Sequence, residues 1–414
     1  MKKAMIVTVG TGTRADSNIV EPLTKSIKDS NPNYVVFVAS NKSKENVEKI
    51  IENLKIGKTN YDTLLLTDIN DVEKIFRGIN YLIKKLNKKG FPPNEIEIDY
   101  TSGTKAMSAA AVLSAAFNQL NSIKYIYGER KNGIVIPGTE RFITVSTQGI
   151  AAHWELIIAK RMLKKYQFES AKIILENINS DLLGDYEKEL IDDLKKIAYG
   201  YASWDMFNHF EALGFFKHIS SSLKQEIKEF FPTEKTRKIL QQIGITLKYG
   251  ELSLEVIADL FNNALRRIEE GKYDDAVARL YRLTEMTAQY ILKKEFSIDT
   301  GDVDINNVPI NLKEQIENLK NPKDNRIQLA MFQAFQLLMD LDISIGKDFF
   351  KNTKLRGLIS ERNYSILAHG TKSITKDTAL NLTNEIHNFI AKYFDKFDEV
   401  VKELSFNWQA PLIT

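Results

Sequence analysis

Hydrophobic and polar positions along this chain follow two different rhythms. Over the first 150 residues, short apolar runs at Ala4–Val9, Tyr34–Ala39, Thr63–Thr67, Ile96–Tyr100 and Ile123–Tyr127 alternate with longer segments. In those segments (Val20–Ser30, Lys44–Leu54, Val72–Leu86 and Lys105–Leu120) the apolar positions recur every 3.6 residues. A near-continuous apolar run suits a strand buried on both faces, and strand–helix alternation calls for a parallel sheet covered by helices. Ile134–Ile136 and Phe142–Ser146, with Pro137-Gly138 between them, predict a closing hairpin. Residues 1–150 therefore read as a Rossmann-like α/β domain.

From Ala151 onward strand signals almost vanish. Glu155–Tyr166 and Glu169–Asn177 form a helix pair, and the aromatic cluster Trp204-Asp205-Met206-Phe207-Asn208-His209-Phe210 follows. No fixed repeat period emerges, so 151–250 is read as a helical connector. Beyond Gly250 the segments Leu254–Glu269, Tyr273–Lys293, Arg326–Leu341 and Ala379–Glu403 predict the long helices of an all-α domain over 251–414. Polar loops are expected at Asp299–Pro309 and Lys320–Asp324. The fold class is α/β plus all-α.

Composition narrows the chemistry. With no cysteine there is no disulfide, thiolate zinc site, iron–sulfur cluster or cysteine nucleophile. No apolar stretch approaches the roughly 18–20 residues of a membrane helix. The apolar run after Lys2-Lys3 stops at Gly10, too short for a signal peptide, so a soluble, cytoplasmic protein is expected. The formal charge is +3, but residues 1–150 carry roughly +6 and the remainder about −3. The basic surplus thus lies on the α/β domain.

In a parallel α/β sheet, ligands bind beyond the carboxyl ends of the strands. Two such ends carry small and basic residues: Gly10-Thr11-Gly12-Thr13-Arg14 after the first strand, and Thr101-Ser102-Gly103-Thr104-Lys105 after the fourth. Small residues let backbone N–H groups approach a phosphate, a helix N-terminus favours negative charge, and Lys105 adds a point charge. The same residues also serve as tight turns and N-caps of the fold. The first turn lacks the third glycine of a dinucleotide fingerprint, since position 15 is Ala, and the second lacks the upstream glycine and hydroxyl of a Walker A loop. An anionic ligand other than these cofactors fits the pair, with Arg14 and Lys42 nearby.

A second constellation is Glu361-Arg362-Asn363-Tyr364-Ser365-Ile366-Leu367-Ala368-His369-Gly370. On a continuous helix Arg362 and His369, seven positions apart, share a face about 10 Å apart along the axis. That is too far for both to grip one phosphate, so a two-fold dimer would have to bring two such helices together. Alternatively His369 is a helix C-terminal residue favoured by the dipole, with Gly370 as its cap. His153, His209, His218 and His387 have no such Arg partner and no metal-ligand spacing, and read as packing or solvated residues. No carboxylate pattern for a divalent ion stands out, so no metal is expected.

Taken together, the T-S-G-T-K turn at Thr101–Lys105, the helical hairpin around Leu260–Leu292 and the Arg362–His369 spacing resemble the CRISPR-associated CARF–HEPN ribonucleases of type III systems. Six residues separate Arg362 from His369, as in the family's R-x(4–6)-H motif, and Asn363 directly after the arginine also fits. The resemblance implies a homodimer whose CARF domain binds a cyclic oligoadenylate, of four or six adenylates, as an allosteric activator. Gly10, Thr11, Gly12, Thr13, Arg14, Thr101, Ser102, Gly103, Thr104 and Lys105 would line that pocket. It further implies that Arg362, Asn363 and His369 of both copies cut single-stranded RNA without a metal, through attack of the ribose 2′-OH. Two alternatives stand beside it. One is a ring nuclease degrading the activator around Thr11, Ser102 and Lys105, and the other a sensor whose HEPN-like domain is catalytically silent.

Overall fold

The computed structural model describes residues 2–12, 19–57, 60–131, 134–136, 138–180, 183–219, 225–368 and 370–408. The chain divides into two compact units, Met1–Ile157 with Asn177–Lys188, and Ile158–Glu176 with Glu189–Thr414.

In the first unit, β1 (Ala4–Val9), α1 (Val20–Ser30), β2 (Tyr34–Ser40), α2 (Lys44–Leu54), β3 (Tyr61–Leu66), α3 (Val72–Lys88), β4 (Ile96–Asp99), α4 (Lys105–Phe117) and β5 (Ser122–Tyr127) alternate as the apolar pattern predicts. Two short strands, β6 (Arg130–Lys131) and β7 (Ile134–Val135), precede β8 (Arg141–Ser146). The sheet order is β3-β2-β1-β4-β5-β8, parallel throughout except at the β5–β8 edge. Successive residues of β1 face opposite cores. Ala4 and Ile6 pack with α3 and α4 residues such as Ile79, Ile83 and Ala111, while Met5, Val7 and Val9 pack with Leu23, Ile27, Val47 and Ile50 of α1 and α2. Burial on both faces is why these strands read as unbroken apolar runs.

The expected closing hairpin is corrected. Ile134–Val135 pairs with Arg130–Lys131 in a separate two-stranded ribbon, whereas Phe142–Ser146 runs antiparallel to β5 as the sheet edge. The six-residue register Ser122↔Ser146 to Tyr127↔Arg141 satisfies far more backbone than a short pairing with Ile134–Val135 could.

The helices that follow are α5 (Gln148–Lys164), α6 (Phe168–Asn177), α7 (Asp185–Asp205), α8 (His209–Lys217), α9 (Glu234–Lys248), α10 (Leu254–Glu269), α11 (Tyr273–Phe296), α12 (Lys313–Glu317), α13 (Met331–Asp340), α14 (Ser344–Lys351), α15 (Thr353–Asn363), α16 (Lys376–Ala391) and α17 (Phe397–Leu404). None of the described helices is long and apolar enough to cross a membrane. In the second unit α10 and α11 form the expected hairpin, turning at Gly271 with φ +75°, a left-handed conformation that favours glycine. The aromatic cluster is explained by α10. Buried Asp259 accepts from Trp204 Nε1 at 2.9 Å and pairs with His209 Nε2 at 2.8 Å, so His209 is a core residue held through Nε2, while its buried Nδ1 has no partner among the described residues.

Two predicted helices are shorter than expected. Arg326–Ala330 precedes α13 in extended form, because Ile327 and Leu329 are buried by period-two pairing. Val303 N–H donates to Ile327 O, and Leu329 N–H donates to Thr300 O, each at 2.9 Å. The stretch Ala379–Glu403 is two helices, α16 and α17. The chain turns at 392–396, where Phe397 N–H donates to Phe394 O, and buried Phe397 packs edge-on against Phe261 at 5.5 Å.

Candidate functional site

The order β3-β2-β1-β4-β5 means that the chain builds outward from β1 in one direction and then crosses back to start β4 on its other side. The crevice between the carboxyl ends of β1 and β4 is therefore the topological switch point, where doubly wound sheets bind ligands. Both glycine turns open there.

The turns touch. Gly10 N–H donates to Ser102 Oγ at 3.1 Å, and Thr8 Oγ1 donates to the carbonyls of Asp99 and Ser102. A Cβ on Gly10 would stand 2.8 Å from Gly103 N and 2.9 Å from Gly103 Cα, so only glycine permits this approach. Gly103 itself has φ +113°. Below the turn, Asn46 Nδ2 donates to Gly10 O at 3.0 Å, and Ser43 Oγ donates to Val9 O at 2.8 Å. On the β4 side Thr101 Oγ1 accepts from Ile126 N–H at 3.0 Å. Thr104 caps α4 by accepting Met107 N–H at 3.2 Å, while its hydroxyl donates to Ile69 O at 2.6 Å.

Lys105, the first residue of α4, is exposed and forms no ion pair among the described residues. Lys42, also exposed, is likewise unpaired. A helix N-terminus with an uncommitted ammonium beside it is an electropositive edge suited to an anion. Gly12 has φ +90° and Thr11 Oγ1 donates to its carbonyl. Thr13 and Arg14 lie outside the described residues.

Asp99 anchors this turn and was not among the residues singled out from the sequence. Its buried carboxylate accepts Thr101 N–H at 2.8 Å and Ser26 Oγ–H at 2.5 Å. Burial pushes its pKa up, opposed by the Ser26 and Thr101 hydrogen bonds and by the charge of Lys124. The signal was present, since an Asp that bonds the N–H two residues on is an Asx-turn former directly before a small-residue run. Beside it Tyr100, Tyr125 and Tyr127 stack in a ladder with centroids 5.7 and 6.2 Å apart.

In the helical unit, the structure overturns the placing of Arg362 and His369 on one helix. α15 ends at Asn363, and a tight loop follows in which Ser365 O accepts the N–H groups of Ala368 and Gly370 at 3.0 and 3.1 Å. Ile366 N–H donates to Lys372 O at 2.9 Å, and Ile374 N–H donates to Asp274 Oδ2 at 3.1 Å, which ties the loop to the first turn of α11. The seven-residue helical arithmetic for Arg362 and His369 accordingly does not apply. Gly370 is not a helix cap either. A Cβ there would lie 1.9 Å from Tyr364 O, so glycine is required by the backbone's return past Tyr364. His369 lies outside the described residues.

Arg362 sits in the last turn of α15, half-buried, with its guanidinium carbon 4.6 Å over the ring of Tyr281 on α11. Among the described residues it has no carboxylate partner. A half-buried guanidinium without a counter-ion keeps its donors available for an anion. Asn363 beside it is exposed, as are Tyr364, Ile366 and Leu367 in the loop.

The chain thus joins a doubly wound sheet with paired glycine turns at its switch point to helices that offer, among the described residues, an arginine without a carboxylate partner at a helix end. Residues 251–395 match the family model of the Csm6 HEPN domain. The fold is similar to that of Enterococcus italicus Csm6 solved with cyclic hexa-2′-fluoro-hexa-dAMP, with 98% of each chain covered at 15% identity and a TM-score of 0.56. Can2 from Sulfobacillus thermosulfidooxidans, solved with cyclic tetra-adenylate, overlaps 51% of this chain and 68% of its own at 13% identity, with a TM-score of 0.24. A shikimate dehydrogenase (NADP(+)) from Methanosphaera stadtmanae is 25% identical over 122 residues, 30% of this chain and 41% of that protein. The chain thus spans about two-fifths of that curated relative's length. The resemblance seen in the sequence is borne out in that residues 251–395 match the Csm6 HEPN domain and the chain as a whole shares the fold of Csm6.

Proposed function

We propose that this protein is an endoribonuclease of type III CRISPR antiviral defence, activated by a cyclic oligoadenylate and cutting single-stranded RNA without a metal. The observation that carries the reading is the uncommitted guanidinium of Arg362, held at the end of α15 within the segment matched by the Csm6 HEPN domain. Residues 1–150 act as the sensor, 151–250 as a helical connector and 251–414 as the nuclease.

In a homodimer, Arg362, Asn363 and His369 of both copies meet in one pocket. The substrate's 2′-OH attacks the adjacent phosphate, the P–O5′ bond breaks, and a 2′,3′-cyclic phosphate and a 5′-OH leave. Arg362 stabilises the negative charge that builds on the phosphorane, and His369 handles a proton of the displacement. The activator lies across the switch point of the sheet. Lys105, the α4 N-terminus and the Thr101–Thr104 turn receive its phosphates, with Gly10–Arg14 as the opposite wall. The basic surplus of the α/β domain supports a small polyanion there. The slightly acidic remainder leaves RNA to be held by local cations, so substrate binding is weak and tolerant of sequence.

The test is cleavage of a fluorescent single-stranded RNA in EDTA, with cyclic tetra- and hexa-adenylate supplied separately. Cleavage with one ring is expected, absent in His369→Ala, which still binds the activator. Lys105→Ala should shift the activation curve to higher activator concentration. Loss of cleavage in EDTA refutes the metal-independent mechanism. Degradation of a bound ring with the RNA left intact replaces the reading with a ring nuclease, and binding without either cleavage replaces it with a silent sensor.

A further inference from the structure

We infer that Tyr281 is a positioning residue for the ribonuclease reaction, its ring face holding Arg362 in register with the scissile phosphate; this rests on the assignment of Arg362 proposed above. Arginine side chains have four rotatable bonds, and one at a helix end next to an exposed loop would ordinarily sample many of them. A carboxylate would hold it in place but would also neutralise the charge the reaction needs. Among the described residues Arg362 has no such partner, and what packs against it is the Tyr281 ring, 4.6 Å from the guanidinium carbon. An aromatic face attracts a cation through its quadrupole while leaving the in-plane N–H donors uncommitted. Tyr281 thus fixes the plane of the guanidinium without competing for phosphate.

The platform is itself rigid. Tyr281 lies in mid-helix on α11, flanked by the buried core residues Leu280 and Leu283. The same helix secures the far side of the loop through Asp274 and Ile374 N–H. The Tyr281 hydroxyl has no hydrogen bond among the described residues, so the face of the ring, not its polar tip, is the element in use.

The experiment measures kcat and KM for activated cleavage of the fluorescent RNA by the full-length protein. The variants are Tyr281→Phe, Tyr281→Leu, Arg362→Lys, Arg362→Ala and the double variant Tyr281→Leu/Arg362→Lys, with thermal midpoint and activator affinity recorded alongside. Tyr281→Leu should lower kcat by roughly tenfold, the scale of a partly desolvated cation–π contact, with KM and activator affinity near wild type. Tyr281→Phe should restore most of that loss. In the Arg362→Lys background the Tyr281→Leu change should cost clearly less than it does alone, because a residue acting through Arg362 is not additive with it. A wild-type kcat in Tyr281→Leu overturns the inference, as does a Phe variant as poor as the Leu variant, or full additivity with Arg362→Lys. An Arg362→Ala variant that cleaves normally instead brings down the proposed role of Arg362, a distinct result.

Discussion

Substituting Gly10 by alanine tests whether the two turns at the switch point form one ligand-binding unit. The added Cβ would meet Gly103 N at 2.8 Å, Gly103 Cα at 2.9 Å and Ser102 Oγ at 3.2 Å. The first two are backbone atoms and cannot rotate aside, and β1 and β4 are buried and register-locked at Ala4↔Ile96 through Val7↔Asp99. Relief must therefore come from moving one turn off the other. That movement breaks the Gly10 N–H to Ser102 Oγ bond of 3.1 Å and disturbs the Thr8 bond to Ser102 O. Overpacking costs about 1–3 kcal/mol and a lost hydrogen bond about 0.5–1.5, so a destabilisation of about 2–3 kcal/mol is expected for Gly10→Ala. Urea denaturation of the isolated protein measures it. Activator affinity, by calorimetry, should fall at least about tenfold, or about 1.4 kcal/mol, since the amide donors of one wall are displaced. Unchanged stability refutes the close approach itself. Lost stability with normal affinity shows that the contact serves the fold alone and removes the case for a two-walled cradle.

Three further outcomes follow from the structure. Asp99→Asn keeps an acceptor for Thr101 N–H but removes a carboxyl whose folded pKa burial raises. The native state therefore holds that proton more tightly than the unfolded chain, and the group's contribution to stability falls as pH rises from the ordinary carboxylate range through the raised value. The variant should gain on wild type as pH rises through that range in parallel denaturation series; a loss instead contradicts the assignment. Gly357→Ala lies in mid-α15, where nothing stands within 4 Å of the new Cβ, and should stabilise the protein by about 0.5–1 kcal/mol in the same assay. Asp259→Ala strands the buried Trp204 and His209 nitrogens and should cost about 3–5 kcal/mol; a change under about 1 kcal/mol would show that water replaces the carboxylate.

Much of the α/β unit is legible without coordinates. β1, α1 and α2 have the bounds their apolar patterns predict, and the α10–α11 hairpin follows from two uninterrupted amphipathic stretches around Gly271. Local signals sufficed there because each element's burial is written in its own period. Where an element's partner decided its form, the pattern misled. Ile327 and Leu329 fit a helix in the sequence but pair as extended chain with the 300–303 backbone. Phe142–Ser146 left its neighbour Ile134–Val135 for β5, the partner with the longer register.

The candidate sites divide in the same way. Composition and spacing alone determined the strand–helix order, the two glycine turns after β1 and β4, and the Arg362–His369 separation in the chain. That much is local, encoded in residue type and period. Only the tertiary structure decided that Gly10 and Gly103 lie in backbone contact, that Asp99 anchors the Thr101 turn, and that α15 stops at Asn363. It alone brought Tyr281, 81 positions earlier in the chain, under Arg362. These features depend on which surfaces meet when the core closes. Contacts between residues far apart in sequence leave no period in it, so the packing of the whole fold had to select them.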